Sequence, residues 1–314
     1  MEYTNQRVAY GNTLVELGKT NKDIVVLDAD LGGSTYGKLF EAAYPDRHIE
    51  LSIAEANMIS VAGGLSLTGH IPFANSFAVF ATGRAFDQIR QSVSIGELNV
   101  KVVGSSAGFS DFGDGATHQS VEDISLMRSI PNMTVICPAD ANETVKAVKA
   151  MVSQIGPCYL RLNRNDYPNV TKEIDSFKIG QPTILREGNE IVVFAIGYML
   201  NKVLQACEEL KGQVSVKVIN MSTLKPVNKA FIVEAVKDMK AVVTVEEHSV
   251  IGGLGSTILE ALSETPKPVK MLGIQDTFGC SAHSYESLLE YMGLTVENIK
   301  KAILEMAGKK EEAK

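Results

Sequence analysis

The chain has 314 residues, of which 45% are hydrophobic and 21% charged, and its formal net charge at pH 7 is -7. This length allows two domains of ordinary size, and the composition is typical of a water-soluble globular protein. Nucleic-acid-binding proteins usually carry an excess of positive charge. The net charge here is negative, so we expect no nucleic-acid partner.

The termini and the cysteines indicate the setting in which the protein works. Residues 1–7 contain no apolar signal core, and no apolar run approaches the ~20 residues of a membrane span. The four cysteines, Cys137, Cys158, Cys207 and Cys280, are far apart and show no metal-ligand or redox-pair spacing. We therefore expect a reduced, cytoplasmic setting and no membrane partner.

In the first half of the chain, short apolar runs alternate with helix-length segments. The clearest helix is predicted over 139–155, with Asp140 as its N-cap and Glu143 at the capping-box position three residues later. Such alternation favours a largely parallel sheet that is covered by helices. The strands are predicted at Ile24–Leu27, Val100–Val103, Met133–Ile136 and Tyr159–Leu162.

The pattern breaks down after residue 163, where Asn, Asp, Pro and Thr predict a linker near 165–185. Gly252–Gly255 lacks the G-x-G-x-x-G spacing of a phosphate loop and is interpreted as a tight turn between a strand and a helix. A Lys- and Glu-rich end, 309–314, predicts a solvated tail. The second unit comprises strands at 191–195, 214–219 and 241–245, helices at 201–210 and 228–237, and two short helices within 285–306 that are separated at Gly293.

Glu55 begins an apolar, helix-like run and is the first candidate site residue. A glutamate in a first helical turn commonly complements the helix dipole. The neighbours of Glu55 are apolar, however, and Gly63 and Gly64 downstream allow a ligand or another backbone to approach closely. A carboxyl group there can share a proton with a ring nitrogen. The residues alone leave both interpretations open.

A polar loop, Gly113–Gln119, holds Asp114 and His118 between glycines that give the backbone unusual freedom. His118 is either a catalytic or substrate-binding group, or a structural hydrogen-bonding group. Phe73, Phe77 and Phe80 recur at near-helical spacing, which favours core packing or a wall for a flat ring. Because no segment predicts a convincing site for cofactor phosphates, we expect the chain to supply about half of an active site.

Several motifs follow one another in a fixed order along the chain. They are Leu27-Asp28-Ala29-Asp30-Leu31, Ile53-Ala54-Glu55-Ala56-Asn57-Met58, Phe77-Ala78-Val79-Phe80, Asp114-Gly115-Ala116-Thr117-His118-Gln119, Arg128-Ser129-Ile130-Pro131-Asn132-Met133 and Pro138-Ala139-Asp140. Together they resemble the C-terminal half of transketolase, most strongly over 24–165. Glu246–Ser249 and Ile251–Gly255 resemble the family's C-terminal domain. The resemblance implies an α/β fold, with a thiamine diphosphate pyrimidine-binding domain at 1–170, a linker at 171–185 and a transketolase C-terminal domain at 186–314.

The resemblance also implies an activity and a partner. Transketolases use thiamine diphosphate and Mg²⁺ to move a two-carbon ketol unit from a ketose phosphate to an aldose. The family's diphosphate-binding domain has no counterpart here, so the resemblance implies a split, two-gene enzyme. We expect an N-terminal subunit to supply the diphosphate and metal ligands, in a dimer of heterodimers, and no metal site on this chain. Gly113-Asp114-Gly115 with Asn142 superficially matches a Mg-diphosphate motif, but Asn142 falls in the predicted capping turn.

Matching motifs assign roles to individual residues. Glu55 would hydrogen-bond N1′ of the thiamine pyrimidine and favour its imino tautomer, while Phe77 and Phe80 would stack on that ring. Asp114 would bind a substrate hydroxyl, and His118 would lie near the transferred unit, where it can shuttle a proton. Arg164 would hold the sugar phosphate.

Some positions depart from the family pattern. Lys38 falls near a second phosphate-binding arginine and keeps the charge without the bidentate fork. Ser106 stands where many members have a histidine, about twelve residues before His118, and a serine can donate one hydrogen bond but cannot carry charge or a proton at neutral pH. Gly83 replaces an aromatic residue of some members, and Gly113 replaces a common glutamate. These changes indicate a modified or branched sugar phosphate, or a non-phosphorylated acceptor.

Other readings stay open. A 1-deoxyxylulose-5-phosphate synthase shares the Asp-Gly…Thr-His signature but is normally one long chain. The β subunit of a 2-oxoacid dehydrogenase has this length but is not expected to carry Asp-Gly-Ala-Thr-His-Gln. A catalytically silent homologue is the third alternative, and the presence of Glu55, Asp114 and His118 argues against it.

Overall fold

The computed structural model describes residues 3–173 and 175–310. Their strands are β1 (Tyr3–Asn5), β2 (Ile24–Asp28), β3 (His48–Glu50), β4 (Ile71–Phe77), β5 (Lys101–Ser105), β6 (Thr134–Ile136), β7 (Cys158–Arg161), β8 (Asp166–Pro168), β9 (Thr183–Arg186), β10 (Ile191–Ala195), β11 (Val216–Asn220), β12 (Thr223–Lys225), β13 (Ala241–Ser249) and β14 (Val269–Ile274). The helices are α1 (Gln6–Thr20), α2 (Gly32–Thr35), α3 (Gly37–Ala43), α4 (Glu55–Leu67), α5 (Phe86–Gln88), α6 (Asp123–Ser129), α7 (Ala141–Ser153), α8 (Met199–Glu209), α9 (Lys229–Val236), α10 (Leu254–Ala261), α11 (Tyr285–Tyr291) and α12 (Val296–Ala307). π-Helical segments at Val79–Arg84 and Ile89–Ser94 flank α5, and 3₁₀ turns lie at Pro45–Arg47 and Gly115–Thr117.

The larger sheet has the strand order β12-β6-β7-β5-β4-β2-β3. All its neighbouring strands pair in parallel except β12, which pairs antiparallel with β6. Each residue of β2 is buried. Val25 and Leu27 join the core on one face, while Ile24 and Val26 join the core on the other. Helices cover both faces, which explains why this strand is an unbroken apolar run.

The smaller sheet has the order β14-β13-β10-β11-β9, in which β9 alone is antiparallel to its neighbour. The predicted strand at 191–195 coincides with β10, and the strand predicted at 241–245 continues to Ser249. The two C-terminal helices are separated at Gly293, whose φ is +75°. Strand and helix alternation with two largely parallel sheets confirms the predicted α/β fold class.

The near-helical spacing of the phenylalanines was a wrong guide to secondary structure. Phe73 and Phe77 lie on strand β4, and Phe80 lies in the π-helical segment after it. A spacing of four residues satisfies the two-residue period of a strand as well as the helical period, so spacing alone cannot distinguish them. Phe73 is a core residue, as one of the two interpretations expected.

The predicted linker begins with a strand. Asp166–Pro168 pairs antiparallel with β1, some 160 positions earlier in the chain, and local sequence gives no sign of such a distant partner. The described residues between β8 and β9 form neither helix nor strand. Within the predicted tail, Lys309 bonds to Glu190 at 3.1 Å, while 311–314 lie outside the described residues. No described helix combines the length and apolarity that a bilayer crossing requires.

The helix start predicted at Asp140 is confirmed, but its second capping partner differs from the prediction. The Asp140 carboxylate accepts the Glu143 backbone N–H at 2.9 Å. Glu143 accepts the N–H of Ala139, one residue before the N-cap, and it also accepts bonds from Asn220, the last residue of β11, and from Ser222. Glu143 therefore joins the two sheets, and its burial raises its pKa.

A buried arginine forms a second link between the sheets. Arg161 at the end of β7 donates from Nε to Asp123 at 2.8 Å and from Nη2 to the Glu247 carbonyl oxygen at 2.9 Å. Tyr159 donates its hydroxyl to the same Asp123 carboxylate. Burial opposes ionisation of Asp123, but the charges of Arg161 and His248 keep its pKa below the usual value.

Glu247 should make the stability of the protein depend on pH. Burial raises the pKa of Glu247 to about 7 against an ordinary 4.5, despite Arg161 and bonds from Tyr285 and the Phe109 N–H. The folded state therefore holds an extra proton between these values, and stability falls as pH rises through this window. Glutamine does not titrate. Over this pH window we therefore expect the stability of Glu247→Gln to fall by on the order of 3 kcal/mol less than that of the unmodified chain.

Urea unfolding of both proteins at pH 5 and pH 8 measures the effect. Glu246 has a pKa that burial also raises to about 7, so part of the slope should remain in the variant. Glu290→Gln, which changes an exposed carboxylate on α11, is the control. If the free energy of unfolding falls as much between pH 5 and pH 8 in Glu247→Gln as in the unmodified chain, Glu247 is not the group that titrates.

Candidate active site

The candidate residues collect at the carboxyl edge of the larger sheet. Strands β2, β4, β5 and β7 run parallel, so the segments that follow them meet at one edge, where open α/β sheets bind ligands. Phe77 ends β4, Ser106 follows β5 and Arg164 follows β7. Glu55 begins α4 in the segment after β3. The parallel sheet therefore assembles residues that are far apart in sequence.

Glu55 is buried and paired with an arginine that the sequence did not single out. Both carboxylate oxygens accept bonds from Nη1 of Arg84, at 2.9 and 2.8 Å. The Arg84 side chain is 48% exposed, and its guanidinium lies 4.6 Å above the Phe80 ring centroid. The sequence did contain a signal for Arg84, because this residue follows Phe80 by one helical turn. The pair keeps a carboxylate at the base of an accessible surface.

Two phenylalanine rings form a flat wall beside this carboxylate. The Phe77 and Phe80 centroids are 6.1 Å apart with planes inclined by 14°. His118 meets both rings edge-on, with centroids 6.3 Å from Phe77 and 5.2 Å from Phe80. A side chain at Gly83 would enter open space, so the glycine leaves room next to the wall. The wall suits a flat aromatic ring.

Two arginines lie at the opposite end of the site. Arg164 has its guanidinium 5.8 Å from the Phe77 centroid. Arg7 donates to the backbone oxygens of Arg164, at 2.9 Å, and Ser34, at 2.6 Å. Burial and then the charge of Arg164 lower the pKa of Arg7. Adjacent guanidinium groups favour an anionic ligand.

Arg7 was missed by the sequence analysis, although a signal was present. It lies in the first turn of α1, where a cation opposes the helix dipole. Lys38 is exposed on α3, and no hydrogen bond or ion pair among the described residues joins it to another candidate. Its predicted role at the phosphate stays a prediction.

The loop after β5 carries Asp111 and Asp114. Asp111 is buried and Asp114 exposed. Burial, reinforced by Asp114 and opposed by Arg164, raises the pKa of Asp111. The second half of the chain holds this loop, since Gln119 donates to the Cys280 carbonyl oxygen at 2.9 Å.

Gly108 fixes the start of the same loop. Its φ is +64°, and a Cβ there would lie 2.5 Å from Oε1 of Glu247. The same Glu247 oxygen accepts the Phe109 N–H at 2.6 Å. Only glycine combines this backbone conformation with so close a carboxylate. Glu247 thereby positions the loop.

Ser106 has a left-handed backbone, with φ of +54°, and is fully buried. Its Oγ has no hydrogen-bond partner among the described residues. Strained backbone and unpaired buried polar groups cluster at functional sites. Asn142 lies in the first turn of α7, where the sequence placed it, and donates to the Thr171 carbonyl oxygen.

Two protein-family models match most of the chain. Residues 3–170 match the family model described as the transketolase pyrimidine-binding domain, and 180–299 match the transketolase C-terminal domain. The chain belongs to the transketolase family. The resemblance predicted from the ordered motifs is thereby confirmed.

Transketolase relatives match along nearly the whole chain. A Methanocaldococcus jannaschii protein, named provisionally as a transketolase C-terminal section, is 43% identical over 96% of this chain and 96% of its own length. The 6-deoxy-6-sulfo-D-fructose transketolase subunit SqwH of a Clostridium species is 40% identical over 97% of this chain and 95% of its own. A solved split gene transketolase, an inactive beta4 tetramer, is 43% identical with a TM-score of 0.89, covering 99% of this chain and all of that one. The chain therefore matches split-type members of the transketolase family along nearly their whole length.

Proposed function

We propose that this chain, with a partner subunit, moves a two-carbon ketol unit from a ketose phosphate to an aldose. The observation that carries the proposal is one surface on which the buried Glu55 carboxylate, the Phe77–Phe80 wall and the arginine pair lie in sequence. The carboxylate and the aromatic wall fit a cofactor ring, and the arginine pair fits the distal anion of a sugar. The split-type relatives support the same reaction class.

The residues present fit the aminopyrimidine of thiamine diphosphate. A flat aromatic wall and a buried carboxylate complement a ring that carries basic nitrogen atoms. Thiamine diphosphate, when bound, supplies the electron sink that breaks the carbon–carbon bond. Glu55 would hold a proton at the pyrimidine N1′, with Arg84 keeping the carboxylate in place.

Mg²⁺ and the diphosphate need ligands from elsewhere. The described part of the chain brings together no group of three or more His, Cys, Asp or Glu side chains that could hold a metal ion. We therefore assign those ligands to an N-terminal transketolase subunit, in a dimer of heterodimers. Ile53, two residues before α4, is 70% exposed and offers apolar surface close to Glu55 for such a subunit, and Leu67 at the far end of α4 is 74% exposed.

The substrate-binding roles follow the same geometry. His118 faces the aromatic wall and would hydrogen-bond or protonate the transferred unit. Exposed Asp114 would bind a sugar hydroxyl, and Arg164 the distal phosphate. We also propose that Lys38 and Ser106 contact the substrate. We also propose the domain division at 1–170, 171–185 and 186–314, and a cytoplasmic setting that fits four unpaired cysteines.

A modified sugar is the second candidate. Ser106, with its unpaired buried hydroxyl, stands where many family members have a histidine. A 40% identical relative is named for a sulfonated fructose, so the family accommodates unusual distal groups. A branched or sulfonated sugar would leave Glu55 and the aromatic wall with unchanged roles.

Reconstitution tests the proposed function. We expect transfer from xylulose 5-phosphate to a panel of aldoses only when this chain, a diphosphate-binding subunit, thiamine diphosphate and Mg²⁺ are all present. Cofactor binding without turnover would point to another donor sugar or to a synthase-like thiamine reaction. Absence of cofactor binding with the partner present would favour a silent homologue and contradict the proposal.

A further inference from the structure

Asp111 forms an ion pair with Arg164, the arginine that would bind a distal anion. Nη1 of Arg164 donates to Oδ2 of Asp111 at 2.5 Å. The Asp111 side chain is 4% exposed, whereas the Arg164 side chain is 36% exposed. The carboxylate thus approaches the guanidinium from the protein side, and the remaining guanidinium surface faces solvent.

The loop holds this carboxylate in position. Gln119 donates to the backbone oxygen of Asp111 at 3.2 Å, and Asn165, next to Arg164, donates to that of Ser110 at 3.0 Å. The bond between Phe109 and Glu247 anchors the loop two residues earlier. These bonds restrain the backbone around Asp111, and burial of the side chain leaves the carboxylate little room to turn away from Arg164.

Carboxyl groups offset the charges of the arginine pair. Arg7 and Arg164 bring two positive charges, and the carboxyl groups of Asp111, Asp114 and Asp166 lie near them. Coulomb repulsion scales with ligand charge, so Asp111 disfavours a doubly charged group twice as strongly as a singly charged one at equal distance. A neutral hydroxyl meets no such repulsion.

We propose that Asp111 is a specificity-determining residue whose carboxylate competes with the distal anion of the sugar for Arg164. It weakens the binding of a phosphate dianion relative to singly charged or neutral distal groups. The identity of the ligand as a sugar rests on the proposed function. The competition for Arg164 does not, because it concerns any anion at this end of the site.

Calorimetric titration of the full chain with inorganic phosphate, at a pH where phosphate is a dianion, tests the competition directly. We expect Asp111→Asn to bind phosphate ~10-fold or more tightly than the unmodified chain, a large change in affinity. Asp238→Asn is the control, since Asp238 is an exposed carboxylate after α9 in the second unit of the chain. The control should bind phosphate as the unmodified chain does.

Equal or weaker phosphate binding by a folded Asp111→Asn protein would overturn the proposal. Asp111→Ser, which also removes the charge, provides the same comparison if the asparagine variant does not fold. In the assembled enzyme, the ratio of kcat/KM for ribose 5-phosphate to that for ribose should rise ~10-fold in Asp111→Asn. Tighter phosphate binding with an unchanged ratio would place the sugar phosphate elsewhere and also overturn it. Failure of ketol transfer in every variant would contradict the proposed function, while the phosphate titration still decides the role of Asp111.

Discussion

Glu55→Gln in the assembled complex should retain thiamine diphosphate and lose turnover by ~10²–10⁴-fold, the usual contribution of a positioned proton-transfer group. The amide keeps the size of the side chain and one acceptor oxygen for Arg84, so the pocket should keep its shape. It cannot exchange a proton with a ring nitrogen, so the chemical step should slow. Calorimetry measures cofactor binding, and steady-state kinetics measures turnover.

Glu16→Gln is the control for this substitution. Glu16 is an exposed carboxylate that pairs with Lys19 on α1, and its loss should change neither measurement. Near-normal turnover in Glu55→Gln would remove Glu55 from the proposed mechanism. Loss of cofactor binding together with turnover would give the carboxylate a binding role instead.

Arg161→Met should lower the free energy of unfolding by about 3–5 kcal/mol, the cost of removing one partner from a buried ion pair. The substitution leaves the Asp123 carboxylate fully buried, with Tyr159 as its remaining hydrogen-bond donor among the described residues. It also removes the donor that reaches the Glu247 carbonyl oxygen across the two sheets. Urea unfolding measures the change.

Arg186→Met breaks an ion pair of similar length at the surface. Arg186 contacts Glu208 at 2.8 Å, but the glutamate side chain is 66% exposed. Water screens such a pair, and we expect a change of about 0–1 kcal/mol. If Arg161→Met is no more destabilising than this control, the link between the sheets does not depend on the buried pair.

Local sequence determined the secondary structure where a short-range physical cause acts. The Asp140 carboxylate at a helix start accepts the nearby Glu143 N–H, and Gly293 follows a helix end because glycine tolerates a positive φ. The β2 run is uniformly apolar because both of its faces are covered. The ordered motifs around Glu55 and His118 likewise indicated the family before any fold was known.

Only the tertiary structure decided how the site residues face one another. The bonds from Arg84 to Glu55 and from Arg164 to Asp111 join residues that are 29 and 53 positions apart. Neither pair shares a helix face or a strand, so no periodicity predicts them. Arg7 reaches the site because β1 and α1 fold against the segment after β7, a contact that depends on the whole chain. The parallel sheet brings these distant segments to one edge, and that convergence is a property of the fold.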